Sequence, residues 1–285
     1  DLNSISEFEM SQHVGGVAGF SSGTVQEAVV HRVNVGVKHI EKAKEAMQSM
    51  GPYLRTALQS GWSARIVMFA LVAQESPRST QEIATLLTDE ELVEYRNIAS
   101  FVERARPITR LPMVDLGAPA IRSLSKEQCD AFHKTLISLV NSDGVVDRFE
   151  WVLISVLRKH TSGTFGESKI KTKRSPLSSY ALEISVVLST LSYCGTNCVN
   201  EAELAYKGAI QKLHLDSTMN DVSDCTMNRV NSALKRLRQM KFVDKGLFIG
   251  ACESCVAHDE QVTVVEAETL RAIGDILDCP IPMFV

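Results

Sequence analysis

The residues best suited to chemistry are four acidic side chains at matching positions in two copies of a short motif. Residues 142–151 are SDGVVDRFEW, and residues 258–267 are HDEQVTVVEA. Both fit Asp, two residues of any type, an apolar residue, a capping residue, two more residues and Glu. The acidic pairs are therefore Asp143 with Glu150 and Asp259 with Glu266. Because hard divalent cations prefer several oxygen ligands, this repetition is one basis for predicting a weak shared cation site.

The same motif also fits a helix–turn–helix connection that binds nothing. Asp followed by Gly144 or Glu260 would form the turn, Val146 or Val262 would pack into the core, and the capping residue would begin the next helix. The first half of a helix–loop–helix calcium loop is absent, so a complete calcium cage is not predicted. Because glycine adopts a left-handed turn more readily than glutamate, Gly144 and Glu260 differ at the same motif position. This difference weakens the prediction of a metal role common to both copies. A fainter copy, TNCVNEAE at 196–203, has Thr in place of Asp.

Motifs of known catalytic chemistry are missing from the sequence. No two of the seven His are four residues apart, so no His-Glu-x-x-His zinc helix is present. A Gly-x-Ser-x-Gly elbow, a Walker loop and a strand-borne Gly-x-Gly-x-x-Gly are also absent. Cys194, Cys198, Cys252 and Cys255 would supply four thiolates for zinc, but the last two lie on the apolar face of a predicted helix, where buried cysteines are common. We therefore predict no catalytic residue and no cofactor in this chain.

Composition and charge favour a soluble globular protein. The chain has 285 residues, of which 45% are hydrophobic, and a net charge of −4 that gives no general attraction to nucleic acid or anionic lipid. The odd count of seven cysteines predicts a reduced, cytosolic environment. The longest apolar runs, 66–73 and 184–191, are shorter than the ~18 residues of a membrane helix. Since no charged n-region and apolar h-region open the sequence, we expect no signal peptide. Because the first residue is Asp1, we expect a piece or a processed form of a longer protein.

The elements that position the acidic motifs are predicted to be helices throughout. Apolar residues recur at three- and four-residue steps in 129–140, 149–157 and 227–237, whereas strand alternation is not found. His133 and His160 fall in such amphipathic stretches and are interpreted as surface or capping residues. The predicted fold class is all-α. Capping pairs that would begin helices are Thr24–Glu27, Ser79–Glu82, Thr88–Glu91, Ser125–Gln128, Asp147–Glu150, Asn200–Glu203 and Thr263–Glu266.

The basic residues Lys169, Lys171, Lys173 and Arg174 fall in a Gly-containing stretch that separates the two motif copies. No aromatic residue within this cluster offers a surface for stacking bases, so we interpret the stretch as a solvated linker and predict no nucleic-acid partner. The predicted organisation is a flexible lead-in at 1–23, a helical segment at 24–110, a first helical unit at 111–160, the basic linker at 161–175 and a second helical unit at 176–285.

Two long stretches resemble a known family. Residues 110–160, RLPMVDLGAPAIRSLSKEQCDAFHKTLISLVNSDGVVDRFEWVLISVLRKH, and the ending ACESCVAHDEQVTVVEAETLRAIGDILDCPIPMFV resemble the region that follows the peptidase domain in a subset of bacterial HtpX-like membrane zinc metallopeptidases. SQHVGGVAGF and ARIVMFALVAQE are similar to that region too. The Asp-Gly helical repeats also resemble the TerB family of tellurite-resistance and stress proteins, so the two helical units are expected to be TerB-like.

The resemblance implies a parent protein that is a membrane-anchored zinc endopeptidase acting in protein quality control. Its zinc would lie in a peptidase domain whose ligands this chain lacks. The present chain would then be a noncatalytic region at the cytoplasmic face of the inner membrane, without direct membrane insertion, whose partners are the parent protease domain and protein substrates. The alternative is a stand-alone TerB-like stress protein that binds a divalent cation through the acidic turns. A helical solenoid built from 35–104 is a third interpretation, although no sequence period supports it.

Overall fold

The computed structural model describes residues 48–74, 77–141, 146–161, 172–279 and 281, and within them the chain forms α-helices and no strands. The predicted all-α class is therefore confirmed. The predicted lead-in at 1–23 and the Thr24–Glu27 pair lie outside these residues. The helices are α1 Pro52–Ala57, α2 Gly61–Ala73, α3 Pro77–Leu86, α4 Asp89–Glu103, α5 Arg110–Arg122, α6 Lys126–Val140, α7 Arg148–Thr161, α8 Ala181–Gly195, α9 Val199–Lys212, α10 Met227–Leu237, α11 Phe242–Val256 and α12 Val264–Ile276.

Two apolar helices, α2 and α8, form the centres of two helical layers. α2 packs against α3, α4, α5 and α6, and α8 packs against α9, α10, α11 and α12. Both helices are apolar over most of their circumference, which is typical of helices surrounded on several sides. In α2 the run from Ile66 to Val72 is at most 2% exposed. α7 joins the two layers because it packs against both α5 and α12.

One helix in the described part of the chain, Leu177–Gly195, is long and apolar enough to cross a membrane by length and composition. It consists of a 3-10 turn, Leu177–Tyr180, followed by α8. The sequence prediction missed it because the predicted apolar run covers only 184–191, between Glu183 and Ser192, and not the whole helix. Hydroxyl residues of this helix include Ser185, Ser189, Thr190 and Ser192. These four residues are buried, and their hydroxyl groups hydrogen-bond within the protein.

The connection between α9 and α10, residues 213–226, is fixed to α8 by hydrogen bonds. The backbone N–H of Asn220 donates to Ser189 Oγ at 2.9 Å, and its Nδ2 donates to Ser185 Oγ at 2.8 Å. Ser185 Oγ and the Tyr206 hydroxyl both donate to the Thr218 carbonyl, at 2.8 and 3.1 Å. Polar groups buried beside α8 are thus paired, as buried polar groups require.

Several predicted helix starts are confirmed as capping boxes. Thr88 with Glu91, Ser125 with Gln128 and Thr263 with Glu266 each exchange two hydrogen bonds between cap and third helical residue. Asp147 with Glu150 is a close variant, because Asp147 Oδ1 accepts from Phe149 N at 2.7 Å while Glu150 Oε2 accepts from Asp147 N at 2.8 Å.

Two other predicted starts are wrong. α9 begins at Val199 with Cys198 as its cap, so Asn200 is already helical. The cap residue Cys198 makes no side-chain cap hydrogen bond, and its own N–H donates to Thr196 Oγ1 at 3.0 Å. α3 begins at Pro77, before Ser79, which agrees with the preference of proline for the first turn.

The predicted apolar faces are largely confirmed, with exceptions that matter for the site. Phe149, Val152, Leu153, Val156 and Leu157 are at most 1% exposed. By contrast, Ile137 is 44% exposed although it belongs to the apolar face of α6, and Val262 is 44% exposed although it was predicted to pack into the core. The basic residues Lys173 and Arg174 are exposed, as predicted, while Lys169 and Lys171 lie outside the described residues.

Candidate functional site

The two glutamates of the acidic motifs are buried helix caps. Glu150 is 2% exposed and Glu266 is 4% exposed. Oε2 of Glu266 accepts hydrogen bonds from Thr263 N at 2.9 Å and Thr263 Oγ1 at 2.7 Å, just as Glu150 accepts from Asp147 N. A carboxylate at this position satisfies a backbone N–H that the helix start would otherwise leave unpaired. Both glutamates therefore have a structural role in starting α7 and α12.

Only one of the two motif aspartates, Asp259, belongs to the described residues. Asp143 lies outside the described residues. Asp259 is exposed and accepts a hydrogen bond from Gln261 N at 3.0 Å, and Glu260 adopts the left-handed conformation with φ 64°. The left-handed turn that the motif predicts is thus formed by a glutamate in the second copy, an arrangement that non-glycine residues adopt only occasionally.

No group of three or more His, Cys, Asp or Glu side chains among the described residues is arranged to hold a metal ion. Cation binding through the acidic turns stays a prediction, since Asp143 is not among these residues. Calorimetric titration of the chain with Ca²⁺, Mg²⁺ and Zn²⁺ tests it. Heat at micromolar cation that is lost in both Asp143→Ala and Asp259→Ala would favour the cation-binding alternative.

A close contact distinguishes Glu266 from Glu150. Gly195, the last residue of α8, lies so near that a Cβ added to it would be 2.1 Å from Glu266 Oε1. This contact places the end of α8 directly on the start of α12. Cys194 precedes Gly195, and its Sγ is 3.7 Å from Thr269 Oγ1 of α12. The side of Glu266 away from its cap is therefore filled by backbone rather than by solvent.

The cysteines near Glu266 are buried thiols. Cys252 and Cys255 are at most 1% exposed, which confirms their predicted place on the apolar face of α11. Burial raises the pKa of Cys255 to about 12, although Ser192 Oγ lies 3.1 Å from its Sγ. Burial also raises the pKa of Cys194. These thiols stay protonated at neutral pH and are therefore poor nucleophiles.

A charged network joins α5, α7 and α12. The Arg271 guanidinium donates to Asp115 Oδ1 at 3.1 Å and to Asp275 Oδ2 at 3.1 Å. His160 Nε2 lies 3.2 Å from Arg271 and 3.5 Å from Asp275. Burial raises the pKa of Asp115, with the neighbouring Arg271 opposing that effect. His160 is thus half-buried and bonded, which corrects its interpretation as a surface or capping residue.

Two further ion pairs cross between α7 and the α12 end of the chain. Arg148 Nη1 lies 3.3 Å from Glu268 Oε2, whose side chain is 2% exposed, and Lys159 pairs with Asp278. Since buried charges require partners, the Arg148–Glu268 pair and the Arg271 network fix how the second helices of the two motif copies meet, whereas the exposed Lys159–Asp278 pair contributes little. Apart from the i,i+4 pair of Arg271 with Asp275, the sequence offers no local signal for these contacts, because they join residues more than 100 positions apart.

A groove of about 670 Å³ lies between α6 and α7 on one side and α10 and α12 on the other. Its floor is apolar and includes Leu136, Trp151, Ile154 and Leu157. Exposed Ile137 belongs to its wall. This volume lies within the range of ~300–1,000 Å³ typical of ligand-binding clefts.

Basic side chains dominate the charge around this groove. Arg158, Lys159, Lys235 and Arg238 line it, whereas its acidic residues are Asp130 and Asp275. Asp275 is paired with Arg271 and Lys159 with Asp278, so the other exposed charges that line the groove are those of Arg158, Lys235 and Asp130. Arg158 and Lys235 are exposed and lie on different helices, α7 and α10. The groove therefore offers an apolar floor with positive charge on two walls.

Two polar groups that are partly or largely buried, the Trp151 indole and the His133 imidazole, add hydrogen-bonding capacity to the groove. Trp151 is 6% exposed, and its indole N–H has no hydrogen-bond acceptor among the described residues. His133 lies 3.2 Å from Thr161 Oγ1, and burial, with Arg158 nearby, lowers the pKa of its imidazole. His133 is therefore neutral at physiological pH and part of the groove, not the surface or capping residue that was predicted.

No protein-family model, curated protein or solved structure that was compared with the chain matches it. The resemblance to HtpX-like peptidases and to TerB proteins is accordingly carried only by the sequence stretches quoted above. The geometry of the groove is independent of that resemblance.

Proposed function

We propose that this chain is a noncatalytic docking region whose groove receives an extended segment of a protein partner or substrate. The observation that carries the proposal is the groove itself, with an apolar floor and the exposed cations Arg158 on α7 and Lys235 on α10. Apolar floors supply affinity, and a few charged groups select orientation and partner. A segment that alternates apolar and acidic residues fits this lining best.

In keeping with the sequence resemblance, we propose that the parent protein is a membrane-anchored zinc metalloendopeptidase in protein quality control. The docking region would lie at the cytoplasmic face of the membrane and present substrate to the peptidase domain, which would hold the zinc. An immunoblot of fractionated native cells with an antibody against this chain tests the parent. A band well above 31.4 kDa in the membrane fraction is expected, and a soluble band near 31.4 kDa would contradict it.

The docking step has its own test because the chain contains two Trp, Trp62 and Trp151. In a Trp62→Phe variant, Trp151 in the groove is the sole reporter of indole fluorescence. Titration with a permanently unfolded acidic protein is expected to change the emission of Trp151 in a saturable manner, whereas an unfolded basic protein of similar length is not.

Charge reversal locates the binding surface. Arg158→Glu combined with Lys235→Glu is expected to weaken the acidic ligand at least tenfold, because both walls of the groove change sign. Lys212→Glu, an exposed residue of α9 outside the groove, is the matched control. Equal affinity in the double variant and the control would rule out docking in this groove.

A further inference from the structure

Two stretches of the chain carry positive charge without any negative charge. Residues 168–182 and 225–243 contain no Asp or Glu, although the whole chain has 34 acidic residues against 30 Lys and Arg. The two stretches meet, because the backbone N–H of Lys173 donates to the Gln239 carbonyl at 2.8 Å. The end of the predicted basic linker is thus attached to the residues that follow α10.

Four exposed cations lie around this junction. They are Lys173, Arg174, Lys235 and Lys241, which we call the basic platform. Lys235 lies four residues, or about 6 Å along the helix axis, before Gln239, and Lys241 lies two residues after it. None of the four side chains forms an ion pair with another described residue, whereas the neighbouring Arg236 is paired with Glu183 at 3.1 Å.

Helix stability explains the position of one of these cations. Lys235 lies in the last turn of α10, where the helix dipole favours positive charge. Lys241 is the N-cap of α11 and makes no side-chain cap hydrogen bond, and positive charge is unfavourable at a helix start. Lys173 and Arg174 belong to no helix. Like charges held close together repel one another, and a bound anion would relieve that repulsion.

The basic platform adjoins the docking groove. Lys235 belongs to both, and Arg238, the residue before Gln239, also lines the groove. A segment that leaves the groove along α10 would therefore pass beside Lys241 and Lys173. The long side chains of lysine and arginine can follow several carboxylates of an extended segment, whereas a single fixed anion site would need a more rigid arrangement.

We propose that the basic platform binds a run of acidic residues that flanks the groove-bound segment of the partner. Its role rests on the proposed docking function and adds one requirement: the partner carries several carboxylates in succession next to the segment that alternates apolar and acidic residues. An acidic protein segment is favoured over a nucleic acid, because the apolar floor of the groove offers no partner to a sugar–phosphate chain. Several carboxylates are needed because each exposed ion pair is weak.

Peptides of matched length test the proposal in the Trp62→Phe chain, where Trp151 reports binding in the groove. The core peptide alternates leucine and glutamate, and an added tail at its N- or C-terminal end is either all glutamate or all glutamine. At one of the two ends, the glutamate tail is expected to tighten binding about three- to tenfold relative to the glutamine tail. Equal affinities of the two tails at both ends would overturn the proposal.

Neutral variants show whether the tail binds to the basic platform. In Lys173→Gln combined with Arg174→Gln, the advantage of the glutamate tail should disappear, while the glutamine-tailed peptide binds nearly as before. Arg104→Gln with Arg106→Gln is the matched control, since both are exposed cations at the end of α4, which does not line the groove. A tail advantage that persists in the platform variant would place the tail elsewhere and overturn the proposal.

Failure of the docking function itself gives a different result. If no peptide changes the emission of Trp151, groove docking fails and the role of the platform fails with it. If the core peptide binds and the tail has no effect, the role of the platform alone fails. A labelled single-stranded thymidine oligonucleotide gives the remaining outcome: binding that is lost in the platform variant, with no effect of the glutamate tail, would replace the acidic segment with a nucleic acid.

Discussion

α7 and α12, the second helices of the two motif copies, begin with the same arrangement. Asp147 and Thr263 cap them, and a buried glutamate three residues later closes each capping box. Eight residues after the cap, however, α7 has Ser155 and α12 has Arg271; twelve residues after it, α7 has exposed Lys159 and α12 has buried Asp275. The two helices thus share a start and differ along their length.

The difference follows from what surrounds each helix. α12 packs against α7, α8 and α11, and it buries Glu266, Glu268, Thr269 and Asp275. At two of these four positions α7 buries the apolar residues Val152 and Leu153, and its Arg158 and Lys159 line the groove. A short capping motif therefore determines where a helix starts, whereas neighbouring elements determine which side chains its interior needs.

The largest loss in the free energy of unfolding is expected eight residues after the cap, where α12 has Arg271 and α7 has Ser155. Arg271→Leu would leave Asp115 and buried Asp275 without their common partner, at a cost of about 3–5 kcal/mol in the free energy of unfolding. Ser155→Ala, at the matching position of α7, should change it by less than about 0.5 kcal/mol. Urea unfolding followed by circular dichroism measures both. Similar losses in the two variants would show that the helices are equivalent after all.

A smaller loss in the free energy of unfolding is expected when the contact between Gly195 and Glu266 in the second copy is disturbed. Gly195→Ala would force the Glu266 carboxylate from its place against α8 and disturb the cap of α12, at a cost of about 2 kcal/mol. Gly208→Ala in α9 is the control, because a Cβ there meets nothing within 4 Å, and it should be neutral or stabilising. The same unfolding measurement applies, and equal stabilities for the two alanine variants would contradict the contact.

The shared starts should respond equally. Thr263→Ala and Asp147→Ala each remove the side-chain acceptor for one backbone N–H, so each is expected to cost about 1 kcal/mol. The free energy of unfolding of the two single variants and of the double variant measures this. A loss in one variant that exceeds the other by more than about twofold would mean that the starts are not equivalent.

The smallest effect is expected from His133, whose contribution to the free energy of unfolding depends on pH and has no counterpart in the second copy. His133 lies on α6, ten residues before Asp143, and the matching residue of the second copy is Ile249. Since burial lowers the folded-state pKa of His133 below its ordinary value of 6.5, the unfolded chain binds a proton more readily. The resulting stability is present above about pH 6.5 and is lost as the pH falls through the folded-state pKa.

His133→Gln should therefore flatten the decline of unfolding free energy below about pH 6.5 and leave the pH dependence near pH 8 unchanged. Unfolding curves measured at intervals from pH 8 to pH 5 provide the comparison. An unaltered acid slope in the variant would show that His133 titrates alike in folded and unfolded chains.

Sequence alone predicted the features that depend on neighbours within one helical turn. The capping boxes at Thr88, Ser125 and Thr263 and the buried face of α7 are local, so their residue types and spacing were sufficient. The prediction at Asn200 failed although its pattern is local, because α9 begins one residue earlier, at Val199, and Cys198 caps it without a side-chain hydrogen bond.

The groove and the Arg271 network could not have been predicted in this way. Arg271 and Asp115 are 156 residues apart, and the walls of the groove come from α6, α7, α10 and α12. In the sequence, His133 and Ile137 are ordinary positions of an amphipathic helix. They line a common groove only because α10 and α12 form its other side. Their roles exist only once the helices have assembled.

The connection between α9 and α10 has a consequence for proteolysis. Irregular segments such as 213–226 are ordinarily where proteases cut first, because they open without disturbing the rest of the molecule. Here Asn220 and Thr218 are bonded into the polar side of α8, the central helix of its layer. A protease would therefore gain access only when that layer opens as a unit, so the cleavage rate in this segment would report the stability of the layer rather than the motion of a loop.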